Sequence, residues 1–225
     1  MTAGDDIVKS YRSRWLQGYV KAKLRSDPVY EAVYRRIGLS TTPLLDIGCG
    51  IGLLAAYLLQ RGSSRPIIGL DYDPRKIEQA SRASANWTPR PTFLRQDARQ
   101  PVIFQGDVVM LDVLHYLSDE DQSAVLSNAA RCVEPGGYLI VRECLRDKSL
   151  RYRLTWLEER FATSIRWLKA DRLNFPSRAA IEAPLLDLGF SSEVIPLSGR
   201  LPFNNHLLTF RAPVSNEPTA GITKS

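Results

Sequence analysis

Cysteine is scarce in this sequence, and long apolar runs are absent. The 225 residues include three cysteines, Cys49, Cys132 and Cys144, an odd number with no CxxC spacing. That count excludes a disulfide framework and a thiolate zinc site, and it suits thiols kept reduced. No run of 18 apolar residues occurs, and the opening "MTAGDDIVKSYRSRW" has no apolar h-region, so neither a membrane span nor a secretory leader is expected. The expectation is a soluble, cytoplasmic protein without structural metal. No internal repeat is present. What the chain does have is 44% hydrophobic residues, enough for one sizeable core and a single domain.

Positive charge is concentrated rather than spread. Residues 9 to 36 hold eight Lys or Arg against Asp27 and Glu31, a surplus equal to the formal charge of the entire chain, +6. Residues 142 to 172 hold nine against five acids, and the remainder is acidic on balance. Two such patches suit an anionic substrate, an acidic carrier protein, nucleic acid or an anionic lipid surface, and equally suit solvated helix faces.

Periodicity divides the chain into elements. Ile7, Tyr11, Trp15 and Tyr19 recur every four residues, with Leu16, Val20 and Leu24 beside them, and predict one amphipathic helix that ends at "SDP" (26 to 28), where a second short helix begins and runs to about 37. Short apolar runs then alternate with helical stretches. Strands are predicted at 43 to 47, 66 to 71, 92 to 97, 107 to 112 and 138 to 144, with helices to about 61, from Pro74 to about 84 and from Asp119 to about 132. Strict alternation implies a parallel sheet with right-handed crossovers and helices on both faces. A long helix at about 149 to 169, a helix near 177 to 188 and strands at 191 to 197 and 205 to 211 complete the pattern, and the tail from 213 to 225 reads as disordered.

The first strand runs into "LLDIGCGIGLL", with glycine at every second position, Gly48, Gly50 and Gly52. Glycine at the carboxyl end of a strand in an open α/β sheet lets backbone approach a ligand closely. GxGxxG would require Gly or Ala where Leu53 stands, and no phosphate-loop GK[ST] follows, so neither the dinucleotide nor the triphosphate reading fits. Asp71 ends the second strand about 20 residues on, where a carboxylate can accept from ribose hydroxyls.

In their order and spacing, "LLDIGCGIG", "IIGLDYD", "RQDAR", "DVVMLDVLHYL" and "VEPGGYLIV" resemble the class I S-adenosylmethionine-dependent methyltransferases over residues 43 to about 145. The resemblance implies a Rossmann-like, doubly wound α/β sheet of seven strands, mostly parallel with an antiparallel last strand. It implies one domain over 1 to 212, its N-terminal helices (about 5 to 37) forming a lid. It implies S-adenosylmethionine as cofactor, held by Asp46, Gly48, Cys49, Gly50, Gly52, Asp71, Tyr72, Asp97, Ala98, Asp112 and Leu114. In this assignment Asp71 takes the ribose, Tyr72 packs on adenine, Asp97 and Ala98 meet its amine, and Asp46, Asp112 and Leu114 lie toward the methionine end.

His115 stands beside this predicted cleft as a candidate general base. Tyr11, Trp15, Arg142, Arg153, Asn205 and His206 are candidates for the acceptor side, and clustered guanidiniums there favour a carboxylate-bearing or otherwise anionic acceptor. "DVLH" stands where nucleobase-amine methyltransferases carry Asn- or Asp-Pro-Pro-Tyr, no cysteine follows a proline, and the paired acid and Asn of metal-dependent catechol methyltransferases are not evident after residue 137, where the strand reads "YLIV". These absences point to a metal-free enzyme acting on a small or carrier-borne molecule rather than nucleic acid. "LRYR", "IRWLKADRLNFP" and "PFNNHLLTFR" are similar to small methyltransferases of bacterial aryl polyene pigment pathways, which implies a phenolic or aryl acceptor on an acidic acyl carrier protein. The competing readings are a non-catalytic cofactor-binding module that docks nucleic acid or a membrane through its basic helices, and a nicotinamide oxidoreductase, disfavoured by Leu53.

Overall fold

The computed structural model describes residues 3–146, 173–197 and 204–214. Seven strands form one sheet in the order β3-β2-β1-β4-β5-β7-β6: β1 (Leu44–Ile47), β2 (Ile67–Asp71), β3 (Thr92–Arg95), β4 (Asp107–Leu111), β5 (Tyr138–Cys144), β6 (Ser191–Pro196) and β7 (Asn205–Arg211). β1 to β5 run parallel, and β7 is antiparallel to both neighbours, β5 and β6. This is the Rossmann-like topology the alternation predicts, with element ends within one or two residues of expectation.

Both faces of the sheet are covered because successive residues of each central strand point to opposite sides. Leu44, Ile67, Val109 and Ile140 join one core with α1 (Ala3–Ser10), α2 (Arg14–Ser26), α3 (Val29–Ile37), α4 (Leu53–Gln60) and α5 (Pro74–Ala83). Leu45, Val108, Met110, Leu139 and Val141 join the other with α6 (Asp119–Arg131) and α7 (Arg178–Leu186). The helices start where their sequences allow. Asp73 accepts from Arg75 N–H with Pro74 following, Ser118 accepts from Asp121 N–H, and Ser177 accepts from Ala180 N–H.

The N-terminal stripe departs from expectation: it is two helices, not one. Between α1 and α2 the chain turns at Ser13 (φ −77°, ψ 129°), Ser10 Oγ donates back to Ile7 O, and Gln17 Nε2 donates to Tyr11 O at 2.7 Å. The break sends Tyr11 inward, 1% exposed, where its hydroxyl donates to Ile51 O in the glycine loop at 3.0 Å. A four-residue apolar spacing cannot reveal such a break, because it is fixed by a partner 40 residues away.

At the opposite end of the strands, Arg65 is buried with its guanidinium on Ile37 O (2.8 Å) and Asp107 Oδ2 (2.6 Å), while Asp107 Oδ1 accepts from Tyr138 N–H. This ion pair ties β4 to the chain entering β1 and β2. The predicted helix at 149 to 169 and most of the predicted tail lie outside the described residues. Among the described residues no helix is long and apolar enough to cross a membrane.

Candidate active site

Strand order reverses between β1 and β4, and a crevice opens beyond the carboxyl ends of β1, β2 and β4, where open α/β sheets bind ligands. The cleft measures about 280 Å³, and its walls include Gly48, Asp71, Tyr72, Asp97, Ala98 and Asp112. Six residues singled out from sequence are thus brought together. Lys76, Gln96, Arg99, Val113, Tyr116, Leu117 and Asp121 join them. None of these seven stood out in the sequence, since each is an ordinary residue that lines the cleft only because its neighbour ends a strand or opens a helix.

All three loop glycines adopt left-handed backbone, with φ of 76° at Gly48, 56° at Gly50 and 78° at Gly52. A Cβ at Gly48 would come within 2.3 Å of Val113 Cγ2, and one at Gly52 within 2.7 Å of Phe93 Cζ, so these two glycines serve packing as well as turning. A Cβ at Gly50 would meet no atom of the described residues within 4 Å. The loop therefore leaves open space at its middle glycine.

Asp71 holds this loop in place. Its Oδ2 accepts from Gly50 N–H at 3.0 Å and its Oδ1 from Asp73 N–H at 2.9 Å, with Lys76 Nζ 4.0 Å away. Each carboxylate oxygen keeps a further lone pair for a ligand hydroxyl. Asp97 is paired bidentately with Arg99, whose hydrogen bonds and charge hold its carboxyl below the usual range. Tyr72 is half exposed at the cleft rim.

Asp46 lies on β1 directly behind the loop, 2% exposed, and its buried Oδ2 has no hydrogen-bond partner among the described residues. Burial, and secondly the charge of Asp71, push its carboxyl up to about 7. Cys49 is buried in the core beneath the loop, where burial pushes its thiol well up and makes it a packing group rather than a nucleophile. Leu114 likewise sends its side chain into the core below β4, so of the three residues expected toward the methionine end, Asp46, Asp112 and Leu114, it is Asp112 that lines the cleft.

Asp112 is a non-glycine residue at φ 60°, a conformation that concentrates at functional sites. Its carboxylate pairs with Arg142, and its N–H donates to Arg142 O at 3.0 Å. Arg142, expected on the acceptor side, is buried, with its other Nη on Asp27.

His115, the candidate base, is 2% exposed and lies behind the loop whose Val113, Tyr116 and Leu117 line the cleft. Its Nδ1 is 2.7 Å from Glu143 Oε2 and its ring packs on Phe175. Glu143 Oε1 accepts from the N–H groups of Val113 (2.9 Å) and Leu114 (2.6 Å), so one buried carboxylate fixes the whole loop. No local signal in the sequence marks Glu143 for this function, because the groups it holds are about 30 residues away.

The remaining acceptor-side candidates lie further out. Tyr11 is a buried brace of the glycine loop, as described above. Trp15 is 57% exposed, with its ring parallel to that of Tyr19 at a centroid distance of 6.0 Å. Asn205 and His206 open β7 opposite Cys144 and Glu143, which places them at the same sheet edge as the glycine loop. Arg153 lies outside the described residues.

Comparison with known proteins agrees with this geometry. Residues 44–137 match the family model described as a methyltransferase domain. The chain is 31% identical over 179 residues to the aclacinomycin 10-hydroxylase RdmB of Streptomyces purpurascens, covering 77% of this chain and 46% of that protein. It is 28% identical over 158 residues to the ubiquinone biosynthesis O-methyltransferase of Proteus mirabilis, covering 66% and 62%. The chain thus spans about half to three-fifths of the length of these relatives. Its fold is shared with the magnesium protoporphyrin IX methyltransferase of Synechocystis, crystallised with bound S-adenosylhomocysteine, at a TM-score of 0.67 and 24% identity over 92% of this chain and 93% of that one.

Proposed function

We propose, from the premise that residues 44–137 are a methyltransferase domain, that this protein transfers a methyl group from S-adenosylmethionine to a small-molecule acceptor. The observation that carries the reading is Asp71, which braces Gly50 of the left-handed glycine loop and at the same time lines the cleft. The residues present fit this cofactor. Gly50 leaves room for a ligand, Asp46 keeps a buried oxygen without a partner among the described residues, and the cleft is polar where Asp71, Asp97 and Asp112 meet it.

When bound, S-adenosylmethionine supplies a methyl group on a positively charged sulfur. The chain contributes position and charge. Asp71 accepts from the ribose hydroxyls, Tyr72 packs on the adenine, and Asp97 with Ala98 meets the adenine amine. Asp46 and Asp112 lie toward the cationic amino group, where their negative charge is favourable. Holding an acceptor atom against the methyl group within about 3 to 3.5 Å supplies much of the rate. His115 and Glu143 contribute by bracing the Val113–Leu117 wall.

For the acceptor, we propose a phenolic, aryl or carboxylate-bearing small molecule, presented free or on an acidic carrier, in the cytoplasm. The basic segments at 9 to 36 and 142 to 172 support an anionic acceptor or carrier, and the name of the Proteus relative supports a hydroxyl as the methylated group. A second reading follows from the Streptomyces relative, which is named a hydroxylase: a domain of this kind that performs another reaction.

Titration calorimetry with S-adenosylhomocysteine and NADH tests the cofactor. Binding of the first, none of the second, and loss of binding in Asp71→Ala are expected, and an Asp71→Ala variant that binds like wild type refutes the reading. Incubation with methyl-labelled cofactor and a small-molecule extract separates methyl transfer, which leaves label in a product, from the second reading, which does not.

A further inference from the structure

Arg142 is a buried cation that reaches two carboxylates from different parts of the chain. One Nη pairs with Asp112 on the cleft wall, the other with Asp27 at the junction of α2 and α3, 115 residues earlier. Asp27 is itself fixed twice more, accepting from Val29 N–H at 3.1 Å and pairing with Lys23 at 2.9 Å. Among the described residues the hydrogen bonds to Asp112 come from Arg142, through its guanidinium on the carboxylate and its carbonyl on the Asp112 N–H, while the Lys23 ammonium adds its charge from α2. Its left-handed backbone, uncommon outside glycine though more accessible to Asp than to most residues, fixes the direction in which the carboxylate leaves the chain.

A guanidinium presents its donors in a rigid planar fork, so fixing one end on Asp27 fixes the direction of the other. We infer that Asp27 and Arg142 are positioning residues for the amino-acid end of the cofactor, acting through Asp112. The inference rests on the functional reading above, which puts Asp112 near that end. It gives the N-terminal helices a second part in the site, beside the Tyr11 brace: through Asp27 they set the aim of a cleft carboxylate.

The test compares two ligands by calorimetry on the full chain. S-adenosylhomocysteine carries the amino-acid end, and 5′-methylthioadenosine shares its adenosine and sulfur but lacks it. Wild type binds both; failure to bind either overturns the functional reading itself. Asp27→Asn, which keeps an acceptor for Val29 N–H, is expected to weaken S-adenosylhomocysteine about tenfold and 5′-methylthioadenosine less than twofold, and Arg142→Lys to act in the same direction and more strongly. Adding Asp27→Asn to Asp112→Asn is expected to change nothing further, because the first acts through the second. Should Asp27→Asn not fold, Asp27→Glu keeps the charge, displaces the carboxylate by one methylene and carries the same expectation. Equal weakening of both ligands, unchanged S-adenosylhomocysteine binding, or effects that multiply in the double variant would each overturn the inference while leaving the methyltransferase reading intact.

Discussion

Replacing Asp46 by asparagine isolates the energetic cost of placing an acid behind the glycine loop. In the folded chain its carboxyl rises from an ordinary 3.8 to about 7, because burial removes the water that would solvate the anion and Asp71 adds repulsion. A carboxyl with a raised pKa binds more protons folded than unfolded, so its contribution to stability falls as pH rises from about 4 to about 7 and stays at the lower level above. The full penalty is about 4 kcal/mol, of which about 3 kcal/mol falls between pH 5 and pH 8, taking 1.36 kcal/mol for each pH unit up to the folded value. Carboxyls that are lowered in the fold, such as Asp73 at about 2, titrate below this window and cancel in the comparison. Asp46→Asn mimics the protonated acid in shape and carries no charge, at a cost of about 1 to 2 kcal/mol for amide hydrogens without acceptors. Urea unfolding at pH 5 and pH 8 should therefore show the variant gaining about 3 kcal/mol on wild type across that interval. Parallel pH dependence in the two proteins would refute the assignment of a neutral, unsatisfied acid. A cationic amino group brought near Asp46 restores its ionised form, so S-adenosylhomocysteine binding at pH 6 should release protons in wild type and not in the variant, read from binding enthalpies in buffers of different ionisation heat.

Ligand access and packing, the two functions of the glycine loop, separate by substitution at Gly50 and Gly48. Gly50→Ala enters open space and should cost about 1 kcal/mol of stability through its positive φ, yet abolish detectable S-adenosylhomocysteine binding, whereas Gly48→Ala drives a Cβ to 2.3 Å from Val113 and should lower the melting temperature as well. Arg65→Ala leaves the Asp107 carboxylate buried without its cation and should destabilise the fold by about 3 to 5 kcal/mol in urea titration, with no selective effect on ligand binding. His115→Gln removes the ring from the Glu143 carboxylate and should weaken S-adenosylhomocysteine binding while changing kcat less than about tenfold; an unchanged affinity with kcat down about 100-fold or more would instead identify the imidazole as the base.

The order and type of the described strands could be read from sequence because the central strands β1, β2 and β4 are apolar runs closed by an acid or glycine, and those signals are local. So could the polar residues at strand ends, Asp71, Asp97 and Asp112, since in a parallel sheet the carboxyl end of a strand is already a place in three dimensions. What the sequence concealed was set by contacts between distant segments. The Ile7 to Tyr19 stripe satisfied a helical period, yet the chain breaks it to seat Tyr11 against Ile51, and no window of neighbouring residues contains that partner. Arg142 drew attention as a cation near the site, but its charge is spent on Asp27 and Asp112, neither of them near it in sequence. Glu143 followed it as one more charge at a strand end, and its carboxylate proves to hold three groups of the loop beyond β4. Buried cations and anions must find partners, so a charged residue inside an apolar strand such as "YLIVREC" predicts a counter-charge elsewhere without saying where. The part of the cleft lined by the glycine loop and strand ends is legible; the rest is built by helices and loops whose positions depend on such long-range pairs, which is why the place of the cleft could be read from the chain and much of its wall could not.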